Sequence, residues 1–168
     1  KHDHFDLGFA DTVMRFRDPR RFGVLDWIDG DASLHPLLAV LGIEPLADAF
    51  DGDWLHRATR RRQAPIKPVL MDAHLLVGVG NIYASESLFM AGISPLRAAM
   101  RIGRERCDRL AAAIKHTLEA SIAAGGSSVR DYVHSDGGAG CFQLQCAVYD
   151  RAGAPCRTCG TPVRTIRQ

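Results

Sequence analysis

No stretch of this sequence approaches the roughly 20 consecutive apolar residues of a membrane-spanning helix, and Lys1-His2-Asp3-His4 has none of the apolar character of a secretory leader. Both absences predict a cytoplasmic protein with no membrane partner. Cysteine is scarce and odd in number: five residues, two of them the closely spaced Cys156 and Cys159. That pattern fits metal ligation plus lone thiols better than a disulfide framework. Lysine is nearly missing, with only Lys1, Lys67 and Lys115 beside 18 arginines. No internal repeat and no low-complexity tract is present.

What is there has the composition of an ordinary globular protein, 46% hydrophobic and 24% charged. A chain of 168 residues sets a prior of about one domain or two small ones and can bury roughly two-thirds of its unfolded surface. The formal net charge of +2 conceals a division: residues 1–56 hold 5 Lys/Arg against 11 Asp/Glu, and residues 57–168 hold 16 against 8, so the balance moves from −6 to +8. An acidic polymer would dock on the second part. Arginine favours bidentate phosphate contacts, although a base-composition bias in the coding sequence would produce the same preference.

Residues 4–28 read as β, with strands at Phe5–Phe9, Thr12–Arg17 and, after a turn at Asp18-Pro19, Phe22–Ile28. From Ser33 the period becomes helical: Leu34, Leu37, Leu38 and Leu41 share a face, Ser33 is the N-cap and Gly42 the stop. A short helix is expected from Trp54 to Arg61 and another from about Lys67-Pro68. The longest runs from about Arg104 to Ala124, with Cys107, Leu110, Ala111, Ile114, Leu118 and Ile122 on one stripe and Gly125-Gly126 ending it. Ser128 to Asp131 resembles a capping box, residues 134–140 read as a loop, and Cys146–Tyr149 and Val163–Ile166 are expected to be strands flanking the Cys156/Cys159 knuckle. The predicted class is α+β.

The most informative stretch is Val77-Gly78-Val79-Gly80-Asn81-Ile82-Tyr83, a glycine-paired turn opening a mostly apolar helix. Two glycines let the backbone approach a ligand, Asn81 is a good N-cap, and a helix N-terminus offers free amides and positive dipole to an anion. That describes a phosphate-binding turn. A plain turn into a core helix accounts for an isolated G-x-G equally well, and a dinucleotide fingerprint would need a third glycine where Tyr83 stands.

The turn has company. Ile66-Lys67-Pro68-Val69-Leu70-Met71-Asp72 precedes it, Asp18-Pro19-Arg20-Arg21-Phe22-Gly23 lies further back, and Cys156-Arg157-Thr158-Cys159-Gly160 follows. In this order the four motifs resemble the formamidopyrimidine-DNA glycosylases, and the resemblance runs from Lys1 to Gln168. It implies base-excision repair of oxidised purines (8-oxoguanine, formamidopyrimidines) by a glycosylase with abasic-site lyase (β,δ-elimination) activity. The implied architecture is the end of a β-sandwich over residues 1–30, a helix-two-turns-helix DNA-binding domain over 31–140 and an incomplete β-hairpin zinc finger over 141–168. The implied partner is damaged double-stranded DNA, bound by a monomer in a bacterial cytoplasm at the nucleoid.

Residue by residue, the resemblance makes His2, Arg20, Arg62, Lys67 and Asn81 DNA-binding positions, with Gly78, Gly80 and Asn81 as the phosphate turn. Arg62 stands where the family more often has lysine. Arg20 and Phe22 match the wedge that fills the void left by an extruded base, a role an aromatic can play because intercalation offsets a few kcal/mol of unstacking. Without the resemblance, Phe22 would read as a strand residue packing inward, and Arg60-Arg61-Arg62 as a solvated helix end. Ser127, Ser128, Asp136, Gly137, Gly140 and Phe142 fall in the family's lesion-capping loop, with Cys141 where a tyrosine is expected.

Cys156 and Cys159 would be half of a tetrahedral zinc site, so zinc is expected in the complete protein and only weakly, if at all, in this chain. The family's nucleophile, an N-terminal proline followed by glutamate, and a further lysine have no counterpart here, so no catalytic residue is assigned and the chain alone is expected to be inactive. Alternatives are a glycosylase of the endonuclease VIII type directed at oxidised pyrimidines, a non-catalytic DNA-binding module, or a zinc-stabilised interaction domain.

Overall fold

A computed structural model describes residues 2–19, 21–126 and 146–166, and shows an α+β protein. Contacts divide it into two compact units, Lys1–Leu38 and Ala39–Gln168.

In the first unit, β1 (Asp3–Gly8) and β2 (Val13–Arg17) form an antiparallel pair, Leu7 opposite Met14 and Asp6 opposite Arg15, with an irregularity between Asp3 and Phe5. The Asp6–Arg15 pair is a two-pronged ion pair, Nε to Oδ1 at 2.8 Å and Nη2 to Oδ2 at 2.9 Å. Both partners are exposed, so it aids register more than stability.

The expected third strand over Phe22–Ile28 does not form. Aspartate side chains take two backbone amides there that a ladder would need: Asp18 accepts from Gly23 and Asp26 accepts from Trp27. The expected Ser33-capped helix is also revised. Asp31 is the cap, its carboxylate accepting the Ser33 amide at the head of a short 3-10 turn over Ala32–Leu34, and Pro36 then opens a single helical turn, α1 (Pro36–Ala39). Leu34, Leu37, Leu38 and Leu41 are exposed, so they form no buried stripe.

The second unit is helical. It contains α2 (Gly52–Thr59), α3 (Ile66–Leu70), α4 (Asn81–Met90) and α5 (Arg104–Ala123). Asp51 caps α2 by accepting the Trp54 amide at 2.6 Å, and Phe50 meets Trp54 edge-on at 5.7 Å between ring centroids. The α5 helix forms the floor against which α2 and α4 pack, and Phe50, Leu55, Leu70, Leu76, Leu88, Leu110 and Ile114 make the centre of one continuous core.

Most of the predicted α5 stripe is buried, but Ile122 is exposed and Thr117 and Ser121 are buried in its stead. The hydroxyls there are satisfied: Thr117 donates to the Ala113 carbonyl at 2.7 Å, Ser87 reaches Thr117 at 3.2 Å, and Ser121 pairs with the Tyr83 hydroxyl at 2.7 Å. Gly125 and Gly126 end α5 with positive φ, their amides bonded to Ile122 and Ser121 carbonyls.

Cys146–Tyr149 and Val163–Ile166 are not strands. The former is a bend and turn, and around the cysteine knuckle only an isolated Pro155/Pro162 bridge survives. No helix among the described residues is long and apolar enough to cross a membrane.

Candidate nucleic-acid interface

The glycine turn sits at the start of α4. Gly78 has φ of +73°, a left-handed conformation that glycine adopts without the penalty a Cβ imposes. Gly80 is different. Its φ of −84° is open to any residue, and a Cβ placed there would meet nothing within 4 Å. The fold itself therefore does not demand glycine at position 80, which leaves room for something outside the fold as the reason for it.

Gly80, with extended ψ, is the N-cap, and Asn81 is the first helical residue, so the expected Asn81 cap is corrected by one position. Asn81 is exposed, its carbonyl accepting the Ser85 hydroxyl at 2.7 Å. Val79 between the glycines is buried and pins the turn to the core.

Lys67 lies on α3, one residue after buried Ile66. Its amine is partly withdrawn from water, and burial draws its pKa below the ordinary lysine value. Lys67 and Asn81 line one cavity of about 630 Å³ together with Tyr149, Cys156, Cys159 and Arg164. The lining thus combines two cationic residues and Asn81 at a helix start with apolar side chains such as Leu88, Phe89 and Ile93, a composition chemically suited to an anion attached to a flat or apolar group.

Arg62 is half-buried and donates through Nη1 to Asp72 Oδ2 at 3.1 Å. The Asp72 carboxyl is held below its usual pKa, first by the His74 amide and side chain and then by Arg62. Arg62 is thus oriented by a carboxylate and is not a free member of a solvated cluster, while Arg60 and Arg61 are exposed.

In the first unit His2 is exposed with φ of +84°, and Phe22 is 84% exposed. Phe22 does not pack inward as a strand residue would. Arg20, Ser127, Ser128, Asp136, Gly137, Gly140, Cys141 and Phe142 lie outside the described residues.

Cys156 and Cys159 sit on a tight turn closed by the Cys156 amide to the Thr161 carbonyl and the Gly160 amide to the Cys156 carbonyl, each 2.9 Å. The Thr158 amide, then that of Cys159, point at the Cys156 sulfur and hold its thiol below the ordinary pKa. Among the described residues no group of three His, Cys, Asp or Glu side chains could hold a metal ion. Cys146 is buried beside Ile82 and belongs to a small hydrophobic cluster.

Sequence reasoning missed Glu86. It is only 7% exposed, and its carboxylate accepts three successive backbone amides, Ala147 at 2.7 Å on Oε2 and Val148 and Tyr149 at 3.0 and 2.8 Å on Oε1. The helix that presents Asn81 therefore also grips the segment leading to the cysteine knuckle. A lone carboxylate in the apolar run of α4 was the available signal, since a buried acid must find donors.

Residues 41–133 match the family model described as the formamidopyrimidine-DNA glycosylase H2TH domain. Among curated proteins the chain is 64% identical over 171 residues to the formamidopyrimidine-DNA glycosylase of Dechloromonas aromatica, and 60% identical over 169 residues to that of Thiobacillus denitrificans. In each comparison it is covered completely but spans 62% of the relative. Among solved structures it is similar to the MutM (Fpg) protein of Thermus thermophilus, with TM-score 0.90, 40% identity, and coverage of 97% of this chain and 62% of that one. The Lactococcus lactis Fpg in complex with abasic-site DNA gives TM-score 0.90 and 33% identity over 100% of this chain and 62% of that one.

Proposed function

The chain belongs to the formamidopyrimidine-DNA glycosylase family, and from that premise we propose that it supplies the DNA-binding part of a base-excision repair enzyme. The complete protein would be a glycosylase for oxidised purines with abasic-site lyase activity, acting as a monomer on damaged duplex in the bacterial cytoplasm. The observation that carries the reading is the α4 turn: Gly80 is not required by the fold, and it stands beside an exposed Asn81 at a helix N-terminus that shares a cavity with Lys67. Convergent donors of this kind suit a backbone phosphate next to an extruded nucleotide.

In finer detail we assign residues 1–30 to the end of a β-sandwich, 31–140 to a helix-two-turns-helix domain and 141–168 to part of a zinc-finger hairpin. His2, Arg20, Arg62, Lys67 and Asn81 contact DNA, Arg20 and Phe22 form the wedge, and Ser127 to Phe142 cap the lesion. Zinc fits Cys156 and Cys159 as two of four thiolates, with the hydrogen-bonded Cys156 thiol as supporting chemistry. Bound zinc would be structural, stiffening the knuckle that forms part of the cavity wall.

The test is strand incision by the full-length gene product on 8-oxoguanine, thymine-glycol and undamaged duplexes, with duplex affinity of Asn81→Ala measured alongside. Incision at 8-oxoguanine is expected, together with an Asn81→Ala loss of roughly 1–3 kcal/mol in binding, the worth of a charge-assisted hydrogen bond. Preference for thymine glycol would move the protein to the pyrimidine-directed branch. Unchanged binding would remove Asn81 from the interface.

A further inference from the structure

We propose that Arg151 is a positioning residue: its guanidinium carries the grip of α4 on Ala147 across to the Cys156/Cys159 knuckle, so that the residues lining the cavity from α4 and from the knuckle are held as one body. The inference rests on the reading of the α4 turn as a phosphate site and goes beyond it, to what fixes the knuckle beside that turn.

Glu86 by itself secures only the start of the segment, since its carboxylate takes the amides of Ala147, Val148 and Tyr149. Arg151 continues from there. Its Nη1 donates to the Ala147 carbonyl at 2.6 Å and its Nη2 to the Pro155 carbonyl at 3.0 Å. Ala147 is thus bonded through both backbone polar groups, its N–H to an acid on α4 and its C=O to a base four residues on, and Pro155 immediately precedes Cys156. Three hydrogen bonds in series run from the helix to the knuckle.

These bonds set direction as well as distance. A guanidinium is planar, with its N–H groups fixed in a fork, so one group holding two carbonyls fixes how they lie relative to each other. Among the described residues Arg151 forms no ion pair, so its charge serves these carbonyls and not an acid. The backbone is bent at this point. Asp150 takes φ of +56°, uncommon for a residue with a Cβ and kept where neighbours over-determine it, and both neighbours are tied: the Tyr149 amide to Glu86 at 2.8 Å and the Arg151 amide to the Val148 carbonyl at 3.3 Å.

From Pro155 the hold passes to the rest of the knuckle. The Val163 amide donates to the Ala154 carbonyl at 2.9 Å and the Gly153 amide to the Val163 carbonyl at 2.8 Å, so the returning segment that carries Arg164 is fastened to the residues just before Pro155. Cys156, Cys159 and Arg164 line the cavity with Lys67 and Asn81. Fixing Pro155 relative to Ala147 therefore fixes the knuckle relative to α4 in the free protein, and a ligand that touches both meets them already ordered.

The experiment uses the full-length gene product as purified, with Arg151→Met, which keeps an unbranched apolar stem and removes both donors, and Arg151→Lys, which keeps the charge and lacks the fork. NMR order parameters of backbone amides and affinity for a duplex carrying an abasic-site analogue, across a salt series, are measured for each, with Asn81→Ala alongside. In Arg151→Met the Cys156 and Gly160 amides should lose the order of a rigid backbone, while Ala111 and Ile114 on α5 keep it, which separates a loosened knuckle from a misfolded protein. Affinity should fall on the order of tenfold, the lower end of what hydrogen bonds from a charged group contribute, since the Pro155 carbonyl is exposed. The slope of log affinity against log salt should not change, because Arg151 meets carbonyls and no phosphate. Arg151→Lys should fall between wild type and Arg151→Met in both measurements. Undiminished order at Cys156 and Gly160 in Arg151→Met overturns the brace. Lost order with wild-type affinity overturns its part in binding, and a slope smaller by about 1 shows Arg151 on a phosphate and overturns the positioning role. A wild-type Arg151→Lys beside a defective Arg151→Met shows that charge and not the fork matters, which also overturns it. Unchanged affinity in Asn81→Ala overturns the reading of α4 instead, while the order parameters still decide the brace.

Discussion

Replacing Glu86 should release the segment from Cys146 onward while sparing the helical core. In Glu86→Ala three amides lose their acceptor, and a buried donor left unsatisfied costs about 1–3 kcal/mol. The full sum is an upper bound, because Ala147, Val148 and Tyr149 are only half-buried and water can reach them once the segment lifts. A net loss of roughly 3–5 kcal/mol in docking follows. Glu86→Gln should cost less, about 1–3 kcal/mol. Its single amide oxygen can replace Oε1, which serves Val148 and Tyr149, while its NH₂ would face the Ala147 donor.

Amide hydrogen exchange reads this directly, since local opening is reported at the residues that open. In Glu86→Ala the Val148 and Tyr149 amides should exchange roughly 10²- to 4 × 10³-fold faster, taking 1.4 kcal/mol as tenfold. Amides of Ala111 and Ile114, in the buried face of α5, should keep their protection. Native-like protection at residues 147–149 in Glu86→Ala would refute the clamp. Equal damage from Glu86→Gln would refute the division of labour between the two oxygens.

Two further outcomes follow from the site. Arg62→Gln should reduce the magnitude of the slope of log affinity against log salt by about 1, the release expected for one phosphate contact, and an unchanged slope would leave Arg62 as a partner of Asp72 only. Alkylation requires thiolate, so at pH 8 Cys156, whose pKa is lowered, should label before Cys107 and Cys146, which burial pushes up to about 11. In the full-length gene product zinc should protect Cys156 and Cys159, and mass mapping of the labelled cysteines checks both points.

The parts of the fold readable from sequence were those governed by local rules. Helix α5 shows its period plainly because one continuous face meets α2 and α4, and its double-glycine stop needs no knowledge of the rest. Its one error is instructive. Ile122 continues the stripe on paper but falls in the last turn and is exposed, whereas Ser121 is buried because the Tyr83 hydroxyl, 38 residues away, satisfies it. Hydrophobicity predicts burial only while a partner surface lasts, and polar residues take over where a partner hydroxyl exists.

The same distinction explains the misread N-terminal region and the missed glutamate. Phe22–Ile28 has the composition of a strand, yet a strand also needs free amides, and Asp18 and Asp26 had claimed two of them, those of Gly23 and Trp27. Aspartates spaced one to five residues before glycine or an aromatic thus carried information that periodicity ignored. Glu86 was visible as a charge out of place in α4, but its three donors lie 61 to 63 residues downstream in a segment with no regular structure. Nothing local encodes that pairing. What links the two cases is a carboxylate used as a backbone organiser: Asp18 shapes a turn within its own neighbourhood, and Glu86 fastens a distant segment to the helix that bears Asn81. If both serve DNA binding, the chain orders its contact residues with acids that never touch the acidic polymer, and the cationic residues are left to meet the phosphates.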